Sequence, residues 1–204
     1  SDSLGGLLQT SEFSPGFTCN TMYDHINWIN PRIIENLNLE QYGVTLESLD
    51  ISRIALDTTS KHILFSSDAK ETAESISNHS KTDANKWLDF SKHIQKITKF
   101  LEPIYNTAPP KISSLGMKDL ISLKGMFSPL RKHGTKGLVE TIRTLPMMMP
   151  EFLDEWFESK LLRGSLSASG ITHITQGPYS AATMLNFLHQ HMYSNGIIHN
   201  AKFI

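Results

Sequence analysis

One cysteine, Cys19, stands in 204 residues, so no disulfide can form within the chain and a reducing, cytoplasmic setting is the default expectation. Charge of one sign is also missing. Lys and Arg number 19 against 20 Asp and Glu, and no run of five basic residues occurs, which removes the electrostatic case for a nucleic-acid partner. No apolar stretch approaches the roughly 18 to 20 residues of a membrane-spanning helix. The start, Ser1-Asp2-Ser3-Leu4-Gly5-Gly6, lacks the basic and apolar regions of a secretory signal, so any membrane contact is expected to be peripheral. No internal repeat or low-complexity segment is present, and neither is a G-x-S-x-G, P-loop or H-E-x-x-H motif. The familiar hydrolase, phosphate-loop and zinc-protease signatures are thereby excluded.

What is there suits one large globular domain or a domain and a half: 39% of the residues are hydrophobic and 19% charged. Pro15-Gly16-Phe17 reads as a turn between extended pieces. From Met22 the spacing of Ile26, Ile29, Ile33, Ile34 and Leu37 is helical, with Asn30-Pro31 as N-cap and first-turn proline of a second helix that Tyr42-Gly43 closes. Val44-Thr45-Leu46, Ile54-Ala55-Leu56 and His62 to Phe65 predict one small antiparallel sheet at about 44–66, with Asp57 to Ser60 as a polar turn.

Helices dominate the rest. Asp68 can cap one through Ile76, and Ser80-Lys81-Thr82-Asp83 forms a capping box for the next. That helix carries Trp87, Phe90, Ile94, Ile97 and Leu101 as a single stripe until Pro103 interrupts it. Leu115, Leu120, Leu123 and Phe127 predict a further helix, Leu138, Ile142 and Leu145 a short amphipathic one between glycines and Pro146. Pro150 then opens an aromatic helix with Leu153, Trp156, Phe157 and Leu161 on one side, and Ser159 can cap a brief helix through Leu166. Ile171 to Thr175 reads as a strand or extended linker. Gln176-Gly177-Pro178 reads as a turn, and Ser180 as the cap of a helix carrying Met184, Leu185, Leu188 and Met192 that Gly196 stops. The fold class is α+β, mostly α-helical with a small antiparallel sheet.

Chemistry-bearing residues are few. His189 and His191 are two apart on a helix and cannot chelate one metal from one face, so structural roles are expected and no metal site is predicted. Asp154 and Glu155 diverge as helix neighbours, and acidic groups in a first turn serve the helix dipole more often than acid/base catalysis. The run Met147-Met148-Met149 suits an irregular core gap, or the lining of a pocket for an apolar ligand. Phe152 and Trp156 share that ambiguity.

Four segments, taken together and in order, resemble the phytoene-desaturase-like (carotenoid-type) FAD-dependent oxidoreductases, in the branch that includes the pyridine nucleotide-disulfide oxidoreductase domain-containing proteins. They are Leu4 to Glu12 with Pro15-Gly16-Phe17; Asn30 to Leu39 with Tyr42-Gly43; Phe152 to Ser159, the most specific; and Gly177-Pro178-Tyr179-Ser180 with Thr183 and Leu188-His189. The resemblance covers nearly the whole chain but only the middle of a family member, since the family's opening G-x-G-x-x-G fold and its ribose-binding acid are not in this sequence. It implies that residues 1–20 are a remnant of the connection to an FAD domain, 21–196 a helical substrate domain, and 197–204 the start of the return.

By the same resemblance Gly5 and Gly6 match the doublet that approaches the FAD pyrophosphate, with Leu7 and Leu8 where many flavoproteins carry a basic residue. The resemblance further implies a hydrophobic or lipid-like substrate, for which Met147, Met148, Met149, Phe152 and Trp156 are the candidate contacts, and the FAD-binding part of the same protein as partner. The segment alone is expected to be inactive and to bind no FAD tightly. The alternative is a free-standing helical binding or interaction module without redox activity. A fully polar surface would favour the module; exposed apolar surface where an FAD domain would dock would favour the segment.

Overall fold

The computed structural model describes residues 9–20, 29–44, 47–49, 52–107, 134–193 and 201–203. It is an α+β protein in two compact units, one formed by 1–50 with 200–204, the other by 51–199.

The first unit begins with an antiparallel hairpin of β1 (Thr10–Ser14) and β2 (Phe17–Asn20). Its turn is the expected Pro15-Gly16, where Gly16 has φ of 82° and donates its N–H to Glu12 Oε1. Helix α1 (Pro31–Leu37) starts as anticipated: Asn30 is its N-cap, accepting the amide of Arg32, and Pro31 is its first residue. Asn38 and Gly43, both left-handed, bracket a 3-10 turn over Leu39–Tyr42. Strand β3 (Glu47–Leu49) pairs with β6 (Ala201–Phe203), a long-range partner that local pattern could not indicate. No described residue of β1, β2, α1 or the 3-10 turn is buried.

The second unit holds the core. Strands β4 (Arg53–Ala55) and β5 (Ile63–Phe65) form the expected hairpin, so the single sheet predicted at about 44–66 is two separate pairings. The pleat sorts its side chains. Ile63 and Phe65 are buried on one face, while the register partners Ile54 and Leu64 are exposed on the other. Helix α2 (Ala69–Ser77) is capped by Asp68 and clamped to β5 by Ser75 Oγ and Thr72 Oγ1, which accept the amides of Leu64 and Ser66 at 2.8 and 2.9 Å.

Helix α3 (Lys81–Tyr105) presents its predicted stripe, all of it buried. The helix runs past Pro103, where a stop was expected. Phe100 and Leu101 are buried just before the proline, and only the final turn loses a backbone bond, so packing outweighs the local penalty. The predicted helix over Leu115 to Phe127 lies outside the described residues, as do Met22, Ile26, Gly5, Gly6 and Gly196.

Helix α4 (134–144) buries Gly137, Thr141 and Thr144, so the face predicted from Leu138, Ile142 and Leu145 is rotated and Ile142 is exposed. Helix α5 (Met149–Asp154) is short, and Leu161 belongs to a separate helix, α6 (Lys160–Ser169), that Ser159 caps. A continuous helix would send the amides of Glu158 and Ser159 back to residues 154 and 155. They donate instead to the two carboxylate oxygens of buried Asp83, at 2.9 and 2.8 Å.

Ile171 to Thr175 is a run of turns and bends in place of the expected strand. Asn186 reaches over it, its Nδ2 donating to the carbonyls of Gly170 and Thr172. Helix α7 (Thr183–Gln190) begins after Ala182, not Ser180, because the amides of Ala182 and Met184 find the carbonyls of Pro146 and Met147. Met184, Leu188 and Met192 are buried as predicted; Leu185 is exposed.

Candidate functional site

The methionine run and the aromatic helix come together, but mostly inside. Met149 and Phe152 are 0% and 1% exposed, and Met147 is buried. Met149 donates its amide to Thr183 Oγ1 at 2.9 Å, and its side chain lies against Gly170, where an added Cβ would stand 2.4 Å from Met149 Cγ. Phe152 packs on Phe90. Met149 and Phe152 have essentially no surface for a ligand to use, and Met147 has little.

Met148 and Trp156 differ from them in being half-buried. Trp156 lies edge-on to Phe90, with ring centroids 5.3 Å apart, and against the His93 imidazole at 5.2 Å. His93 also stacks on Phe152 and stands 3.7 Å from Glu140 Oε1. Trp156 is therefore part-exposed on an aromatic mount of Phe90 and His93, a setting that suits contact with an apolar molecule.

The other sequence candidates have structural partners. Glu155 is held bidentately by Arg143 at 2.7 and 2.8 Å, which keeps its carboxyl below the usual range and the guanidinium above its own. Asp154 pairs with Arg163. The two neighbouring carboxylates thus point to different partners and form no acid/base pair. His191 is buried with Nδ1 at 2.6 Å from the Phe187 carbonyl, while His189 Nδ1 lies 3.3 Å from the Tyr105 hydroxyl. Burial pushes the His189 imidazole down and the Tyr105 phenol up, so both favour their neutral forms. Among the described residues no group of three His, Cys, Asp or Glu side chains could hold a metal, and no helix is long and apolar enough to cross a membrane.

Sequence reasoning missed a cavity of about 270 Å³ in the second unit, between β4 and the C-terminal half of α6. Arg53, Ile54 and Ala55 line one side, Ser165, Leu166, Ala168 and Ser169 the other, and Phe65 also contributes. The signal that could have found it is Arg53 itself. It pairs across the hairpin with Phe65, so a charge stands on the strand face that otherwise carries Ala55, Ile63 and Phe65. Reading that required the register, which the sequence does not print.

No family model and no solved structure matches this chain. It is 23% identical over 207 aligned positions to Pyridine nucleotide-disulfide oxidoreductase domain-containing protein 2 of Rattus norvegicus, covering 93% of this chain and 35% of that protein. The Mus musculus protein of the same name is 22% identical, with the same coverage. The chain spans about a third of the length of the curated relatives it matches, and nearly all of it aligns, which makes it a distant relative of one segment of these proteins.

Proposed function

We propose that this chain is the substrate-side segment of a FAD-dependent oxidoreductase of the phytoene-desaturase-like kind, acting on an apolar substrate and depending on a dinucleotide-binding part for activity. The observation that carries this is the apolar surface that the described residues of the first unit leave exposed. Phe13, Phe17 and Tyr42 are 69%, 64% and 80% exposed, and Ile33 and Leu37 are also exposed, with nothing buried beneath them among the described residues. Aromatic and aliphatic side chains left exposed together suit docking of a further body. A free-standing module would present a polar exterior there.

The distant similarity to proteins named for a pyridine nucleotide-disulfide oxidoreductase domain, over a third of their length, supports the same reading. Met148 and Trp156 are the members of the methionine and aromatic stretch with surface available for substrate.

Four described helix N-termini are taken up by their own caps and are closed to a cofactor phosphate. The helix N-termini at Asn30, Asp68, Ser80 and Ser159 each give a first-turn amide to their own capping side chain, at the place where a pyrophosphate would sit. Gly5 and Gly6, the doublet assigned to the cofactor, lie outside the described residues. In enzymes of this kind the flavin carries hydride transfer and the protein positions the substrate; this segment has the second task.

The test is the flavin content of two purified proteins: this 204-residue chain, and the product of the coding sequence extended in both directions. Stoichiometric flavin absorbance in the extended protein and none in the segment is expected. A flavin-free extended protein without an upstream G-x-G-x-x-G would overturn the proposal.

A further inference from the structure

We infer that the outer edge of β4 is a self-association site, where a second copy of this chain adds its own β4 antiparallel and the two hairpins become one continuous sheet. The edge lies wholly in the second unit, and its test reads association and not flavin, so it stands or falls apart from the oxidoreductase reading.

The hairpin closes one edge and leaves the other open. On β5 the amides of Leu64 and Ser66 point away from β4 and are taken up by Ser75 Oγ and Thr72 Oγ1 of α2. The same bonds orient the opposite edge. Because the Leu64 amide faces away, Leu64 and Ile54 are a pair without mutual hydrogen bonds, and the Ile54 N–H and C=O point outward from β4. The Asp57 amide turns inward to His62 Nδ1, which by alternation leaves Leu56 facing outward as well. No bond from a described residue reaches the main chain of Ile54 or Leu56 on that side.

Side chains make this edge adhesive. Ile54 and Leu56 are 58% and 72% exposed, and Leu64 stands exposed beside Ile54, so an aliphatic surface borders the open main chain. Edges that stay single carry lysine, proline or a bulge, and β4 has none of these.

The sequence of β4 also selects its partner and register. A two-fold axis through Ala55 sets Ile54 opposite Leu56 of the second copy, and Leu56 opposite its Ile54, so each pair exchanges N–H and C=O bonds and apolar meets apolar. On the other face Arg53 falls opposite Asp57 of the second copy, a match of opposite charge. An axis through Arg53 would oppose two guanidinium groups, and one through Ile54 would set Leu56 against Ser52. The same strand in reverse is thus its own complement.

Sedimentation of the full 204-residue chain over a range of concentrations, with amide exchange in parallel, tests this. A reversible equilibrium of monomer and dimer is expected, with the Ile54 and Leu56 amides slowing in exchange as concentration rises. Ile54→Pro deletes a donor that the single chain leaves unused. It should raise the dissociation constant at least about tenfold and maintain the melting temperature. Leu56→Lys, at an exposed position, should weaken the dimer in the same way by setting a charge in the joined patch. The register has its own readout. In a Cys19→Ser background, oxidised glutathione should couple two chains carrying Ala55→Cys, since residues across an unbonded pair stand about 4.5 Å apart, within disulfide reach. Ile54→Cys should not couple. A chain that stays monomeric to millimolar concentration, Ile54→Pro and Leu56→Lys variants that dimerise unchanged, or coupling through Ile54→Cys and not Ala55→Cys would overturn the assignment.

Discussion

At Asp83 one buried side chain joins two helices. Ser80 accepts the Asp83 amide, as a capping box requires, but the reciprocal bond is not made: the Ser80 amide already donates to the Ile76 carbonyl, so the Asp83 carboxylate is available to the start of α6. Ser80 Oγ in turn donates to Glu158 Oε1 at 2.8 Å. Two positive helix ends thus share two carboxylates. Replacing Asp83 with Ala leaves two amides without their charged acceptor and should destabilise the chain by about 3 kcal/mol in urea unfolding. Arg143→Ala, which breaks a solvent-exposed pair, should cost under about 1 kcal/mol in the same experiment. Gly170 supplies a second residue-scale test. A Cβ there would meet Met149 Cγ at 2.4 Å and the Thr183 carbonyl at 3.1 Å, so Gly170→Ala should cost about 1–3 kcal/mol, and less when Met149 is also shortened to Ala.

The elements are held by contacts that differ in their response to pH. Helix α7 meets the end of α3 where His189 faces the Tyr105 hydroxyl. Burial lowers the His189 value in the folded chain, so above the usual histidine value near 6.5 both states are neutral and the contact is intact. Between that value and the lower folded one the unfolded chain binds the extra proton. Stability must therefore fall as pH drops from about 7 through the folded value. Melting temperatures across that range should decline less steeply in His189→Gln than in the parent. A steeper or unchanged decline would place the acid sensitivity elsewhere.

Asn30, Asp68, Ser80 and Ser159 were legible as caps because a short polar side chain before an apolar period has one energetically sensible use. The α3 stripe was legible because five large apolar residues at helical spacing must share a face. The end of α5, the start of α7 and the turns after Gly170 were not, since Asp83, the carbonyls of Pro146 and Met147, and Asn186 decide them from far along the chain. The candidate site was legible in part. Sequence brought Met147 to Trp156 forward as one stretch, but which of its members reach solvent depends on what packs against them. The cavity at Arg53 went unread because it is made by a strand register and a helix more than a hundred positions away.

For the whole molecule the two units have unequal resources. The second holds every buried apolar residue described; among the described residues of the first, Phe13, Phe17, Ile33, Leu37 and Tyr42 are exposed. A fragment spanning 51–199 should therefore retain the cooperative thermal transition of the full chain, measured by circular dichroism at the helix band. Amides of β1, β2 and α1 should exchange with solvent far faster than those of α3. Loss of the transition in the fragment would show that the first unit contributes to the fold of the second.

By itself the sequence determined the helical character, the caps at Asn30, Asp68, Ser80 and Ser159, the α3 stripe and the turn at Pro15-Gly16, because each follows from interactions within a few residues. Tertiary structure decided where helices stop, which strands pair and which of the Met147 to Trp156 residues stay within reach of solvent. Those outcomes turn on buried hydrogen-bond partners and packing surfaces that distant parts of the chain supply, and no local pattern encodes them.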